Sequence, residues 1–142
     1  MRDILIIEDE EKHIKDAKNY FSRLDGLKLY YSNNYLDAHE IILKKKLDGV
    51  ISDVFFPLSG LGRYSQMEPI GVRLAIELTQ KKIPFVLNTS MHHHSERLEW
   101  LSGLARSQNW DIIDSAEPEE YDNVAESKNW ERAYKTLVSK MK

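Results

Sequence analysis

The sequence predicts an α/β protein, with a doubly wound, five-stranded parallel sheet and helices on both faces. One observation is the alternation of short apolar runs with amphipathic segments along the whole chain. Another is that residues 4–7 form a continuous, mostly β-branched run, as in strands that are buried on both faces. The length of 142 residues and the hydrophobic share of 42% fit one domain, which we assign to residues 1–142.

The five predicted strands are apolar runs bounded by polar or turn-forming residues: 4–7, 27–31, 49–53, 84–88 and 111–114. Helices are predicted between them and after the last strand. Asp9 is expected to cap the first helix, and Asn34 is among the cap candidates of the second. Pro69 suits the first turn of the third helix. The last helix is predicted over about residues 127–141.

Composition narrows the classes of function. The formal net charge of −3 gives no indication of a nucleic-acid partner. The chain has no cysteine, which excludes disulfides, a thiol nucleophile and a Cys-ligated zinc site. No apolar run is long enough to span a bilayer, and the first residues lead directly into a strand rather than a signal peptide. A cytoplasmic protein without membrane or nucleic-acid partners is therefore expected.

Polar side chains follow several strands of the predicted sheet. Because parallel strands end at one edge, we expect Glu8, Asp9, Asp53, Thr89 and Asp114 to gather there. Carboxylates at neighbouring strand ends form a hard oxygen site that suits Mg²⁺. Taken singly, the acidic pair could be helix caps and the threonine an ordinary strand residue. Their coincidence at matching strand ends favours a functional site.

These motifs resemble the receiver domain of two-component response regulators, along nearly the whole chain. The acidic pair at 8–9 is similar to the pair that follows the family's first strand. Asp53, with Pro57 four residues later, resembles the phospho-acceptor motif, and residues 89–90 resemble the hydroxyl-plus-small pair after the fourth strand. The resemblance implies the flavodoxin-like receiver fold, with five parallel strands and five helices.

The resemblance also implies a mechanism. Asp53 would accept a phosphoryl group from a phosphohistidine, and Glu8, Asp9, Asp53 and the backbone carbonyl of Phe55 would surround Mg²⁺. Thr89 would contact the arriving phosphoryl group and act as the switch. Implied partners are a histidine kinase or phosphotransfer protein of a phosphorelay and a downstream target protein, and a homodimer is left open. With little length beyond the domain, a stand-alone receiver is expected.

Two features depart from the family pattern. The family lysine at the end of the fifth strand is absent, and Asp114 stands near that position. A lost cation and an added anion would weaken any phosphorylation switch. The connection at about residues 57–68 is also longer than a typical βα loop, and Arg63 within it could supply a cation.

Three readings stay open from the sequence. The first is a receiver that is phosphorylated on Asp53, which is an enzyme at most in transferring a phosphoryl group to itself. The second is a pseudo-receiver, which uses the same fold as an interaction module without phosphorylation. The third, ranked last, is a Mg²⁺-dependent phosphatase-like or nuclease-like enzyme. Such families usually carry a second aspartate two residues after the first, and here that position is Phe55.

Overall fold

The computed structural model describes residues 1–60, 68–91, 98–114 and 127–141. Strands and helices alternate along these residues. The strands are β1 (Arg2–Ile7), β2 (Leu27–Ser32), β3 (Gly49–Ser52), β4 (Phe85–Asn88) and β5 (Ile112–Ile113). The helices are α1 (Glu11–Phe21), α2 (Tyr35–Lys44), α3 (Ile70–Lys81), α4 (Glu99–Gln108) and α5 (Trp130–Lys140). No helix of the described residues is long and apolar enough to span a membrane.

The five strands form one parallel sheet in the order β2-β1-β3-β4-β5. This confirms the predicted fold class. The register pairs Ile7 with Ser52, and Ser52 with Leu87, so the residues after β1, β3 and β4 leave the sheet at one edge. We call this edge of the sheet the carboxyl edge.

Helices cover the sheet on both faces because successive side chains of a buried strand point in opposite directions. Leu5, Val50 and Leu87 belong to a core cluster that also contains residues of α2, α3 and α4. The side chains of Ile6, Ile51 and Val86 belong to a second cluster, which contains residues of α1 and α5. These clusters define the α2/α3/α4 face and the α1/α5 face.

Helix starts agree with the sequence in part. Asn34 caps α2 as predicted, since its side chain accepts a hydrogen bond from the Asp37 amide at 2.9 Å. The prediction that Asp9 caps α1 is wrong. The N-cap position is Glu10, which makes no side-chain cap, and its amide instead donates to Glu8 Oε2 at 3.2 Å. Asp9 lies one residue too early to reach the first free amides of the helix.

One glycine sets the distance between α3 and the carboxyl edge. Gly71 lies in the first turn of α3, and its amide donates to the carbonyl of Val54 at 2.9 Å. A Cβ at this position would collide with the carbonyl oxygen of Asp53 and with the backbone of Val54. The backbone after β3 can therefore lie this close to α3 only with a glycine here.

Candidate functional site

Asp53 immediately follows β3, and its position is fixed by backbone and side-chain bonds. Its amide donates to the Ile7 carbonyl at 2.9 Å, which continues the sheet by one residue. Its Oδ1 accepts the Val54 amide at 2.7 Å. The side chain is 12% exposed, so the carboxylate lies at the surface of the carboxyl edge with limited access to solvent.

Two further carboxylates lie beside Asp53. The oxygens of Glu8, Asp9 and Asp53 approach to within 4.8 Å of one another. Glu8 is the next residue after Ile7, whose register partner Ser52 precedes Asp53. The structure thus brings together the three side chains that the sequence proposed as metal ligands.

The site contains a lysine that the sequence analysis missed. Lys128 is buried, and its ammonium contacts Glu8 Oε1 and lies 3.2 Å from Asp53 Oδ2. The sequence analysis found no lysine at the end of the fifth strand and named Arg63 as a possible cation, whereas the cation that the structure places beside Asp53 is Lys128. Lys128 precedes α5 by two residues, so a cation reaches the site from the start of the last helix rather than from the end of β5.

The sequence contains a signal for the position of Lys128, but using it requires the correct start of the last helix. The predicted last helix began at about residue 127, which placed Lys128 inside it. The helix begins at Trp130 after the N-cap Asn129, whose side chain accepts the Arg132 amide at 3.0 Å. Recognising Asn129 as the cap would have put Lys128 before the helix, in the segment between β5 and α5.

Burial and like charge shift the acid–base properties of the carboxylates. Desolvation raises the pKa of Glu8 to about 8, although Lys128 opposes the shift and Asp53 adds to it. Desolvation followed by the charge of Asp53 raises the pKa of Asp9 to about 6. The pKa of Lys128 is raised, because the two carboxylates outweigh its desolvation. We take the lysine to be charged and Glu8 to hold a proton readily.

The donor set fits Mg²⁺, which takes one or two carboxylates and keeps several waters. Glu8 accepts from Lys128 and Glu10, and Asp53 from Lys128 and Val54. A carboxylate has about four acceptor positions, so these contacts leave positions for a metal ion.

The remaining predicted site residues lie around this cluster. Thr89 follows β4, is buried, and its Oγ1 accepts the Met91 amide at 3.1 Å. Asp114 follows β5 and is partly exposed, and Phe55 packs against the core of the α2/α3/α4 face. Arg63 and most of the long loop, at 61–67, lie outside the described residues. The roles proposed for Thr89, Asp114, Phe55 and Arg63 therefore stay predictions.

The α1/α5 face holds buried polar groups that the sequence did not single out. His13, Asn88 and Trp130 are buried, and their side-chain nitrogen and oxygen atoms have no hydrogen-bond partner among the described residues. Burial, followed by the charge of Lys128, lowers the pKa of His13. The shift favours the neutral form of the ring.

Solved structures of receiver domains are similar to the whole chain. The signal receiver domain of an HD domain-containing protein from Pseudomonas fluorescens Pf-5 is 15% identical, with a TM-score of 0.61, over 97% of this chain and 98% of that chain. The receiver domain of the Francisella response regulator 1452 is 12% identical, with a TM-score of 0.60, over 99% of this chain and 96% of that chain.

A third similar structure is the MaeR response regulator bound to beryllium trifluoride. It is 16% identical, with a TM-score of 0.52, over 99% of this chain and 96% of that chain. Neither a protein-family model nor a curated protein matches the sequence. The likenesses show that the chain has the fold of response regulator receiver domains, as the resemblance of its motifs predicted.

Proposed function

We propose that this chain is a receiver-type signalling protein that accepts a phosphoryl group on Asp53. The observation that carries the proposal is the set of charges around this carboxylate. Asp53 lies within 4.8 Å of two other carboxylates and 3.2 Å from a buried ammonium. Such a cluster combines a nucleophile, a metal-binding group and a fixed positive charge at one strand end.

The proposed step transfers a phosphoryl group from a phosphohistidine to Asp53. An oxygen of Asp53 attacks the phosphorus of a donor phosphohistidine, and the phosphorus–nitrogen bond breaks, so that its electron pair leaves with the imidazole. Glu8, Asp9, Asp53 and the Phe55 carbonyl would hold Mg²⁺, which supplies positive charge to the phosphoryl oxygens. Phosphoryl transfer depends mainly on such positioning and charge stabilisation.

Lys128 is assigned the second positive charge of the site. Its ammonium is held beside Asp53 before the reaction, so stabilising charge on the phosphoryl oxygens needs little reorganisation. The sequence analysis expected the site to lack a cation, because Asp114 stands near the position of the family lysine. Lys128 is proposed to supply that cation from the start of α5. Thr89, whose Oγ1 accepts the Met91 amide, is proposed to donate its hydroxyl hydrogen to the phosphoryl group.

The proposed partners follow from this chemistry. A histidine kinase or a phosphotransfer protein of a phosphorelay would donate the phosphoryl group. The output would be binding to a downstream target protein, or to a second copy of this chain. The described residues show neither kind of partner.

A pseudo-receiver is the second candidate, and the contacts of Lys128 favour it. The ammonium already contacts Glu8 closely, and Glu8 holds a proton near neutral pH. A site that is neutralised internally can stabilise the fold without binding metal or a phosphoryl group. The chain would then act as an interaction module in one fixed state.

Labelling with acetyl phosphate separates the two candidates. The purified protein is incubated with acetyl phosphate and Mg²⁺, and its intact mass is recorded over time beside that of Asp53→Asn. We expect one phosphoryl group on the wild-type protein, none on the variant, and loss of labelling when the metal is chelated. Absence of Mg²⁺-dependent labelling would support the pseudo-receiver.

A further inference from the structure

Asn88 occupies an unusual position beside the acidic site. The register pairs Ile7 with Ser52 and Ser52 with Leu87, so the next residues, Glu8, Asp53 and Asn88, form a row across the carboxyl edge. Each of them lies two residues after a strand residue of the α1/α5 face. Because side chains alternate along a strand, the three side chains point to the same face.

The amide group of Asn88 makes no hydrogen bond within the described part of the resting protein. Asn88 is fully buried, and neither its Oδ1 nor its Nδ2 has a hydrogen-bond partner among the described residues. A buried amide without partners lowers the stability of the fold, so its retention calls for an explanation. In active sites, hydrogen bonds are often incomplete in the resting state and form only when the reacting group is present.

Lys128 is the group to which Asn88 can offer a hydrogen-bond acceptor. An ammonium has three hydrogens to donate. Within the described residues, Glu8 and Asp53 are the two acceptors that contact it, and both belong to the row that Asn88 continues. The side-chain oxygen of Asn88 is therefore an acceptor on the same face as the ammonium and next to Asp53.

We infer that Asn88 is a positioning residue for Lys128: its Oδ1 accepts a hydrogen bond from the ammonium when Asp53 receives a phosphoryl group. Phosphorylation changes the position of negative charge at Asp53, and a metal ion draws on the oxygens of Glu8. The ammonium then exchanges its bonds to the two carboxylates for bonds to the phosphoryl oxygens. The Asn88 oxygen keeps the ammonium at the phosphoryl oxygens. This inference rests on the proposed function.

A matched pair of substitutions tests the hydrogen bond apart from packing. Asn88→Val removes the acceptor, whereas Asn88→Thr has the same shape as the valine variant and restores an acceptor oxygen. Labelling of Asp53 by acetyl phosphate with Mg²⁺ is followed by intact mass, and thermal unfolding is recorded without phosphodonor. We expect Asn88→Val to be labelled on the order of tenfold more slowly, and Asn88→Thr to recover most of the rate.

Thermal unfolding distinguishes a positioning role of Asn88 from a structural role, because loss of a structural residue lowers the unfolding temperature. Because the amide has no partner in the resting protein, we expect Asn88→Val to unfold at the same temperature as the wild type, or higher. Equal labelling of both variants and the wild type would overturn the inference and leave the proposed function intact. Equal slowing of both variants would also overturn it, because packing would then be the cause. An unlabelled wild type would remove the proposed function and the inference together.

Discussion

The two faces of the sheet differ in the hydrogen bonding of their buried polar side chains. On the α2/α3/α4 face, Trp110 Nε1 donates to Thr79 Oγ1 at 3.0 Å, and Thr79 Oγ1 donates to the Ala75 carbonyl at 2.7 Å. On the α1/α5 face, the side-chain nitrogen and oxygen atoms of His13 and Asn88 have no hydrogen-bond partner among the described residues. The buried ion pair of Lys128 lies on this same side.

The difference indicates which region of the fold contains groups that lower its stability. Unpartnered polar groups and raised carboxylate pKa values cost folding free energy, and proteins retain such features mainly at functional sites. Here they collect around Asp53 and the start of α5. The α2/α3/α4 face has no comparable cluster in the described part of the chain, which agrees with a structural role.

The largest expected effect comes from removing the cation of the α1/α5 face. Lys128→Met leaves two neighbouring carboxylates without their buried partner, which typically costs about 3–5 kcal/mol. The loss should be smaller at pH 5 than at pH 7, because the carboxylates can then take up protons. Chemical denaturation at both pH values measures it.

Lys135→Met is the matched control, since Lys135 forms an exposed ion pair with Glu131 one helical turn away in α5. We expect no measurable change in its unfolding free energy. Equal stability of the Lys128→Met and Lys135→Met proteins would show that the buried ion pair does not form in solution.

A second comparison is between the stability effects of replacing a glycine in α3 and a glycine in α4. Gly71→Ala should lower the unfolding free energy by about 1–3 kcal/mol, because the added Cβ meets the backbone of Asp53 and Val54. Gly103→Ala in α4 meets no atom within 4 Å and should raise the stability by up to about 1 kcal/mol. Thermal or chemical denaturation of the two variants checks the opposite signs.

A third prediction concerns pH. The pKa values of Glu8 and Asp9 are raised to about 8 and about 6, so the folded protein binds more protons than the unfolded chain above about pH 4. Stability contributed by these protons is present at low pH and is lost as the pH rises toward 8. The slope is at most about 1.4 kcal/mol per pH unit for each proton.

Glu8→Gln should flatten this decline between pH 6 and pH 8, and Mg²⁺ should oppose it by favouring the ionised carboxylates. The measurement is the unfolding free energy across pH with and without the ion. An unchanged slope in Glu8→Gln would place the linked protons on other groups.

Local sequence patterns were enough to predict the fold and most of the acidic site. Strand ends of a parallel sheet meet by geometry, so Glu8, Asp9 and Asp53 could be placed together from the chain alone. Lys128 could not, because its position depends on where the connection after β5 returns to the sheet. The N-cap is Glu10 rather than Asp9, and the Glu10 amide donates locally to Glu8, a detail that the sequence pattern of consecutive acidic residues does not settle.

Asn88 was missed for a different reason. The sequence analysis placed Asn88 at the end of the fourth predicted strand and had no reason to single out its side chain. Only the register of three strands shows that its side chain points inward, beside Asp53. Sequence analysis therefore locates the carboxylates at the strand ends better than the buried lysine and amide beside them.

The central claim is that Lys128 supplies the cation of the Asp53 site, and labelling of paired variants tests it most directly. Rates of Asp53 labelling by acetyl phosphate with Mg²⁺ are compared for the wild type, Lys128→Met, Asp114→Lys and the double variant. We expect Lys128→Met to be labelled at least tenfold more slowly, since hydrogen bonds to charged groups contribute about 1.5–3 kcal/mol. Asp114→Lys should have little effect on the wild type and should restore part of the rate in the Lys128→Met background. Full labelling of Lys128→Met would contradict the claim, because the site would then not need this cation. A large gain from Asp114→Lys in the wild type would also contradict it, because the site would then lack a cation despite Lys128.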